Sequence, residues 1–195
     1  MKSDGALIQI VDAAMAEAER RSGSWLACRV GCHECCIGPF PITQLDAVRL
    51  RAGLEALDAR DPQRAGRIRN RARASVARLR REFPDNPVRQ VLELEDAAED
   101  EPCPALDPDS GTCDLYPTRP ITCRAFGPAV RFRSEPEAQA VGVCELCYRG
   151  ATDEQIAACE VEIDTRLESD LLDELGRSTG RGGDTLVAFA LAEAS

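Results

Sequence analysis

The chain has 195 residues, enough for one domain with a buried core, and 44% of them are hydrophobic. Its formal net charge of −10 argues against a general nucleic-acid-binding protein and against binding to anionic membrane surfaces. Because only 4% of the residues are aromatic, the core must consist mostly of Ala, Leu, Val and Ile, a composition that favours helices. We therefore predict a single, mainly α domain over residues 1–195.

The N-terminal stretch is predicted to form an amphipathic helix over roughly residues 5–21. Asp4 and Asp12 interrupt its apolar residues, so it does not have the pattern of a signal peptide. No segment approaches the roughly 20 consecutive apolar residues of a membrane span. We therefore expect a cytoplasmic protein without a membrane segment. In that reducing compartment the ten cysteines indicate metal binding rather than disulfides.

Two further long helices are predicted before the middle of the chain. One begins after the N-cap Thr43, and the other follows Asp61-Pro62 and runs to about Phe83. A shorter helical piece is predicted over residues 88–98. Helical spacing supports the two long helices, whose apolar positions are Ala47, Leu50, Leu54, Leu57, Ala65, Ile68, Ala72, Val76, Leu79 and Phe83.

The middle of the chain loses this periodicity. Seven prolines and four glycines interrupt residues 101–150, which also contain five of the ten cysteines. An irregular segment of that length in a compact domain needs something other than apolar packing to order it. We therefore predict a cysteine-rich region over about residues 24–150, organised by coordinated metal.

Regular pattern returns in C-terminal helices over about residues 152–195. A long helix is predicted from its N-cap Thr152 to its C-cap Gly176, with Cys159 on the apolar face as a core residue. A glycine-rich link then leads to a short final helix over about residues 184–193. The fold class predicted from these patterns is a small helical domain with an irregular centre.

The opening motif "CRVGCHECC" places four thiols in nine residues. Cys28, Cys32 and Cys35 have a C-x3-C-x2-C spacing, and three thiolates on a tight loop can converge on one centre, as in iron–sulfur proteins. The C-x2-C part alone suffices for a zinc knuckle. Because adjacent side chains usually point in different directions, Cys36 is expected to serve a second site, to bridge or to stay free. The only histidine, His33, is a less favoured ligand because enough sulfurs lie near it.

Two more groups of thiols follow in the irregular region. Cys103, Cys113 and Cys123 recur every ten residues. Pro104 fixes the turn after the first of them, and Gly111 permits a tight hairpin before the second. The third group, "CELC" at residues 144–147, is another C-x2-C knuckle.

Together these motifs resemble the YkgJ-type cysteine-cluster (CxxCxxCC) family over roughly residues 28–150. The resemblance also covers Tyr116 and Pro120, and it implies chelation of zinc or iron. The late family cysteine is assigned to Cys147, because "CYRGATDEQI" has the glycine and capped helix of the family, and Cys144 is then an extra residue. The metal ligands implied in this way are Cys28, Cys32, Cys35, Cys36, Cys103, Cys113, Cys123 and Cys147.

Arg119 and Arg124 in "RPITCR" fall on family positions as well. Eight thiolates would fill two four-sulfur sites, or one site plus a redox or spare group. Four thiolates leave a charge of about −2 on either Zn²⁺ or a [4Fe–4S]²⁺ cluster. The two guanidinium groups could offset that charge and donate N–H bonds to sulfur, as residues around a metal site do.

The metal itself is not decided by the sequence. The three-cysteine fan and the Cys-Pro pair favour an iron–sulfur cluster, whereas paired knuckles on long loops favour Zn²⁺. On balance the sequence favours [4Fe–4S]. The expected role is metal or cluster binding for structure, redox chemistry or metal handling. The alternative is an enzyme or enzyme subunit with cluster-based redox or group-transfer chemistry, radical-SAM-like or methylase-like, although this helical pattern does not predict a barrel of alternating strands and helices.

Eight arginines lie between Arg64 and Arg81, mostly off the apolar stripe of their helix. They predict a solvated face that pairs with the acidic residues 93–101 or docks an acidic protein partner. Nucleic acid is not expected there, because no aromatic residues are interleaved with the arginines.

Overall fold

The computed structural model describes residues 2–133 and 141–192, and this part of the chain is mainly α with only short strands. The predicted fold class is therefore confirmed. The helices are α1 (Lys2–Ser22), α2 (Gln44–Asp58), α3 (Pro62–Glu82), α4 (Pro87–Glu93), α5 (Ile121–Ala125), α6 (Asp153–Cys159), α7 (Arg166–Thr179) and α8 (Val187–Ala192). The strands are β1 (Leu106–Asp107), β2 (Thr112–Cys113), β3 (Val130–Arg133), β4 (Val141–Gly142) and β5 (Val161–Asp164).

Contacts along the chain divide it into two compact units, each made of two separate segments. The first unit comprises Met1–Arg29 and Ile121–Gly180, and the second unit comprises Val30–Pro120 and Arg181–Ser195. The expectation of one domain over the whole chain stays a prediction. None of the described helices combines the length and the apolar character that crossing a bilayer requires.

In the first unit, α1 packs against α5, α6, α7 and β5. Leu7, Val11 and Ala18 are buried on the inner side of α1, at the predicted helical spacing. A three-stranded sheet has the order β4-β3-β5, in which β3 runs antiparallel to β4 and parallel to β5. This unit therefore has a small sheet that the sequence did not predict.

The predicted continuous helix over residues 152–176 is wrong, because β5 interrupts it between α6 and α7. Val161 and Ile163 are buried and Glu162 is exposed, which is the alternation of a strand, and β-branched residues pack well there. Thr152 caps α6, as predicted. The helix α7 continues through the predicted C-cap Gly176 to Thr179, and its C-cap is Gly180, which has a φ of +69°. Cys159 is buried, as predicted.

In the second unit, α8 packs on both α2 and α3, which also pack on each other. The apolar positions predicted for α2 and α3 are buried, except Phe83, which follows α3 and is half-buried against a core cluster of this unit. Thr43 caps α2 in a capping box, and Asp61 caps α3 ahead of the proline at its first position. The short helix predicted over residues 88–98 is shorter in the structure, where α4 covers Pro87–Glu93.

Candidate metal centres

All ten cysteines belong to the described residues, and none of them is part of a disulfide. The boundary between the units falls inside the opening motif, between Arg29 and Val30. Cys28 therefore belongs to the first unit, whereas Cys32, Cys35 and Cys36 belong to the second. A motif that reads as one ligand loop is shared between two folded units.

The second unit brings together four sulfurs, which we call the second thiol cluster: Cys35, Cys36, Cys103 and Cys113. Cys35 and Cys36 lie on a 3-10 turn, and the N–H of Cys103 donates to the carbonyl of Cys36 at 2.7 Å. Next to this bond, the N–H of Gly38 donates to the carbonyl of Glu101 at 3.0 Å. Backbone hydrogen bonds thus join the opening loop to the segment that carries Cys103.

A tight hairpin brings Cys113 to the same place. β1 and β2 pair in antiparallel fashion, with Leu106 opposite Cys113. The turn is closed by the N–H of Gly111, which donates to the carbonyl of Asp107 at 2.9 Å, and Gly111 has a φ of +67° that suits glycine. The hairpin predicted from Gly111 is confirmed, and both Cys103 and Cys113 pack against the core of the second unit.

Backbone N–H groups face the sulfurs of the hairpin. Burial raises the pKa of Cys103 to about 12, while the N–H groups of Ala105 and Leu106 act in the opposite direction by donating to its sulfur. Burial likewise raises the pKa of Cys113, against the N–H of Leu115. A neutral thiol is a weak acceptor, so such donors stabilise the thiolate form that metals bind.

Cys35 and Cys36 form a hydrogen-bonded pair in this cluster. The bond from Cys36 and the positive charge of Arg119 lower the pKa of Cys35 to about 6. The same bond, burial and the repulsion that a thiolate at Cys103 would exert raise the pKa of Cys36. Both sulfurs therefore share one neighbourhood, because the tight turn and its bond to Cys103 hold them together. That Cys36 serves a second site, bridges or stays free remains a prediction.

The two predicted arginines lie in different units. Arg119 stacks over the ring of Tyr116 at 3.7 Å and also lowers the pKa of Cys113, which opposes the effect of burial. Arg124 is buried on α5, next to Cys123, and donates to Asp12 at 2.8 Å. Arg119 is thus positioned to act on thiolates, and the roles of both residues around a metal stay predictions.

Two arginines of α3 hold the residues that follow Cys103 and Cys113. The carboxylate of Asp114 is buried, and it accepts from Arg64 Nε at 2.5 Å and from Arg71 Nη2 at 2.6 Å. Arg71 Nε also donates to the carbonyl of Pro104 at 2.8 Å. We call these contacts the Asp114 brace; the only hint of it in the sequence is the excess of arginine.

The first unit brings together a smaller group, which we call the first thiol cluster: Cys28, Cys144 and Cys147. The sulfurs of Cys28 and Cys147 lie 4.0 Å apart, and the N–H of Ala27 donates to Cys147 Sγ at 3.5 Å. Burial raises the pKa of Cys144, while the N–H groups of Leu146 and Cys147 oppose that effect by donating to its sulfur. This knuckle shows the same N–H to sulfur pattern as the hairpin.

Gly127 makes room for Cys28. A Cβ atom at this position would lie 2.7 Å from Cys28 Sγ, and the backbone has a φ of +127°, so glycine is required. The carbonyl of Gly127 accepts from the N–H of Cys144 at 3.3 Å. The next residue after Cys147, Tyr148, is anchored as well: its N–H donates to the carbonyl of Trp25 at 2.9 Å.

The remaining candidate ligands are Cys32, Cys123 and His33, which belong to neither thiol cluster. Cys32 is half-buried on the loop before the 3-10 turn, and Cys123 is half-buried on α5. His33 is exposed, with Nδ1 at 3.0 Å from the carbonyl of Gly31. Among the described residues, no three His, Cys, Asp or Glu side chains already converge on one metal position. Side-chain rotation would therefore be needed to complete a coordination sphere, although the sulfur donors and their N–H partners fit zinc or iron.

Three further residues lie close to the candidate ligands. Cys144 forms the predicted C-x2-C knuckle with Cys147, although it is extra in the family assignment. Gly127 and Asp114 had no sequence signal, because their roles depend on contacts with residues far away in the chain.

Comparison with protein families agrees with the chemistry of these thiols. The profile of the CxxCxxCC family, described as a "putative zinc- or iron-chelating domain", matches residues 27–147, more than half of the chain. No curated protein and no solved structure matches the chain. The chain therefore belongs to the CxxCxxCC family of zinc- or iron-chelating cysteine-cluster domains.

Proposed function

We propose that the protein chelates zinc or iron through clustered thiolates in a reducing compartment such as the cytosol, and that the metal has a structural, redox or metal-handling role. The observation that carries this proposal is the second thiol cluster, where a backbone hydrogen bond joins Cys103 to Cys36 and a hairpin places Cys113 on the same core as Cys103. The proposed ligands across the chain are Cys28, Cys32, Cys35, Cys36, Cys103, Cys113, Cys123 and Cys147, with Arg119 and Arg124 offsetting charge.

The electrostatics of the second thiol cluster support an ion. Burial disfavours a thiolate at Cys103, and neighbouring thiolates would repel each other. A divalent cation removes both costs, and binding releases the thiol protons to the solvent. Thiolates select Zn²⁺, Fe²⁺ and iron–sulfur clusters alike, so both Zn²⁺ and [4Fe–4S] remain within the proposal.

The surroundings of Cys103 favour binding over catalysis as the role of this site. The cavity that borders it is lined by apolar side chains, among them Phe40, Leu79 and Leu186, and has a volume of about 20 Å³. That space holds roughly one water molecule. A catalytic metal needs an open position facing a pocket that admits a substrate, which is what the enzyme alternative would require.

The test is metal content after anaerobic purification, with zinc and iron measured per chain by mass spectrometry and a visible spectrum to detect a cluster. We expect bound metal in the wild type and a loss of it in Cys103→Ser and Cys113→Ser. The matched control is Cys159→Ser, because Cys159 is also buried but its S–H donates to the carbonyl of Arg21. Metal-free wild type, or equal metal content in all variants, would contradict the proposal.

The proposal also includes a protein partner that binds α3, and the structure reduces the arginines available to that partner. Arg78 donates to both carboxylate oxygens of Glu101, as expected from the pairing with the acidic run; burial would raise the pKa of Glu101, but these bonds hold it below its ordinary value of 4.5. Arg67 and Arg73 are exposed, and within the described part of the chain they have no ion-pair partner. An acidic protein surface is the partner that they would fit.

A further inference from the structure

We infer that the first unit carries a metal centre of its own, built from the first thiol cluster with Cys123 as the fourth donor. This inference rests on the proposed function and deepens it, because it assigns Cys144 as a ligand and separates a second ion from the second thiol cluster. The ligand is a single thiophilic divalent ion, such as Zn²⁺ or Fe²⁺.

The distance between two sulfurs points to a single ion. Zinc–sulfur bonds are about 2.3 Å long, so neighbouring sulfurs of a tetrahedral site lie about 3.8 Å apart. Cys28 Sγ and Cys147 Sγ are separated by 4.0 Å and form no disulfide. In a cubane cluster each cysteine caps a different iron, so the capping sulfurs lie further apart. The pair therefore matches one edge of a mononuclear tetrahedron.

The knuckle supplies the third sulfur. The N–H of Cys147 donates to the carbonyl of Cys144 at 2.8 Å and closes the turn of the C-x2-C segment. In such knuckles both sulfurs are directed at one ion. Both side chains are buried in an apolar cluster with Ala129, and the N–H of Ala27 donates to Cys147 Sγ at 3.5 Å. An ion held by these two sulfurs would therefore be shielded from water, with an N–H donor already placed on one of its ligands.

The segment before the C-x2-C knuckle provides the space for Cys28 Sγ and contains the proposed fourth ligand, Cys123. Gly127 leaves space against Cys28 Sγ that any side chain would fill. Cys123 lies on α5, four residues before Gly127. The carbonyl of Gly127 accepts a hydrogen bond from the N–H of Cys144. A structural thiolate site has four ligands, and Cys123 is the half-buried thiol of this unit that completes the set. Cys159 is excluded because its thiol is directed at the carbonyl of Arg21.

The experiment uses the metal-free full chain, prepared under reducing and anaerobic conditions, and titrates it with Co²⁺, a coloured substitute for Zn²⁺ in thiolate sites. We expect two equivalents to bind with tetrahedral thiolate spectra. Alkylation with N-ethylmaleimide, read by peptide mass spectrometry, then identifies the protected thiols. Cys28 is the sharpest reporter, because its side chain is exposed and should be alkylated readily without metal. Protection of Cys28, Cys144 and Cys147 by Co²⁺, in the wild type and in Cys103→Ser, supports the inference.

A glycine pair provides the matched variants. Gly127→Ala should reduce binding from two equivalents to one, because the added methyl group displaces Cys28 Sγ. Gly150→Ala also places a side chain at a positive φ, of +81°, but its methyl group has no atom within 4 Å, and it should keep two equivalents.

The outcomes separate this inference from the proposed function. Uptake of one equivalent, with protection only at Cys35, Cys36, Cys103 and Cys113, would overturn the inference and leave the function standing. No uptake of Co²⁺ at all would overturn both. One equivalent with protection confined to the first thiol cluster would support the inference and remove the assignment to the second.

Discussion

Replacing Asp114 by Asn tests whether α3 holds the hairpin of the second thiol cluster in place. The substitution keeps the shape of the side chain but removes the charge that Arg64 and Arg71 share. The carbonyl oxygen of Asn can accept from one arginine, while its NH₂ group then faces the other donor. Cys113 precedes Asp114, so the loss is transmitted directly to a proposed ligand.

The magnitude follows from the exposure of the three side chains. Asp114 is 2% exposed, and breaking a buried ion pair costs about 3–5 kcal/mol. Arg64 and Arg71 keep 38% and 26% exposure, so water replaces part of the lost contact. Since a hydrogen bond to a charged group contributes about 1.5–3 kcal/mol, we expect a loss of about 2–3 kcal/mol in the free energy of unfolding.

The assay is urea unfolding of the metal-free protein, followed by circular dichroism, together with Co²⁺ affinity. The control is Asp109→Asn, an exposed carboxylate on the same hairpin that should change the free energy by less than about 0.5 kcal/mol. Asp114→Asn should also weaken Co²⁺ binding, because the ligand must be repositioned. Equal stability of the two variants would refute the role assigned to the brace.

Three further variants test other contacts. Gly53→Ala should destabilise the second unit by about 1–3 kcal/mol in urea unfolding, because its Cβ would lie 2.0 Å from Thr118 Oγ1; no recovery of the lost stability by Thr118→Gly would contradict this reason. Tyr148→Phe should cost about 1–3 kcal/mol in thermal unfolding, because the hydroxyl accepts from the buried N–H of Ala129 at 3.0 Å; an unchanged melting temperature would count against it. Glu101→Gln should lose stability at neutral pH. The folded-state pKa of Glu101 is lowered, so its contribution is present above the ordinary value of 4.5 and is lost as the pH falls through the folded value. A difference from the wild type that does not shrink in acid would refute it.

Local chemistry made much of the fold predictable. The capped starts of α2 and α3 and the buried positions at helical spacing depend on neighbouring residues, so Thr43 and Asp61 marked them correctly. The strand β5 was not predictable in this way, because Ile163 also fits helical spacing with Cys159 and Leu167. Its pairing with β3, in which Val161 lies opposite Val130, decided the outcome.

The candidate site was also predictable from the sequence only in part. Clustered thiols were visible in the sequence, and the chain matches the model of a family described as a "putative zinc- or iron-chelating domain". How the sulfurs group was not visible, because sequence proximity joins Cys28 to Cys32 whereas the fold separates them at Arg29. Long-range backbone bonds such as that between Cys103 and Cys36 determine the grouping.

The discontinuous composition of the units has a consequence for biosynthesis. On the ribosome, Cys35, Cys36, Cys103 and Cys113 are all made before residue 120, whereas α8, which packs on α2 and α3, is made only after residue 186. Cys28 likewise precedes its neighbour Cys147 by more than a hundred residues. If the second thiol cluster binds metal as proposed, the nascent polypeptide can capture the ion while the apolar interior beneath these thiols is still incomplete, and metal supply during translation would then affect yield.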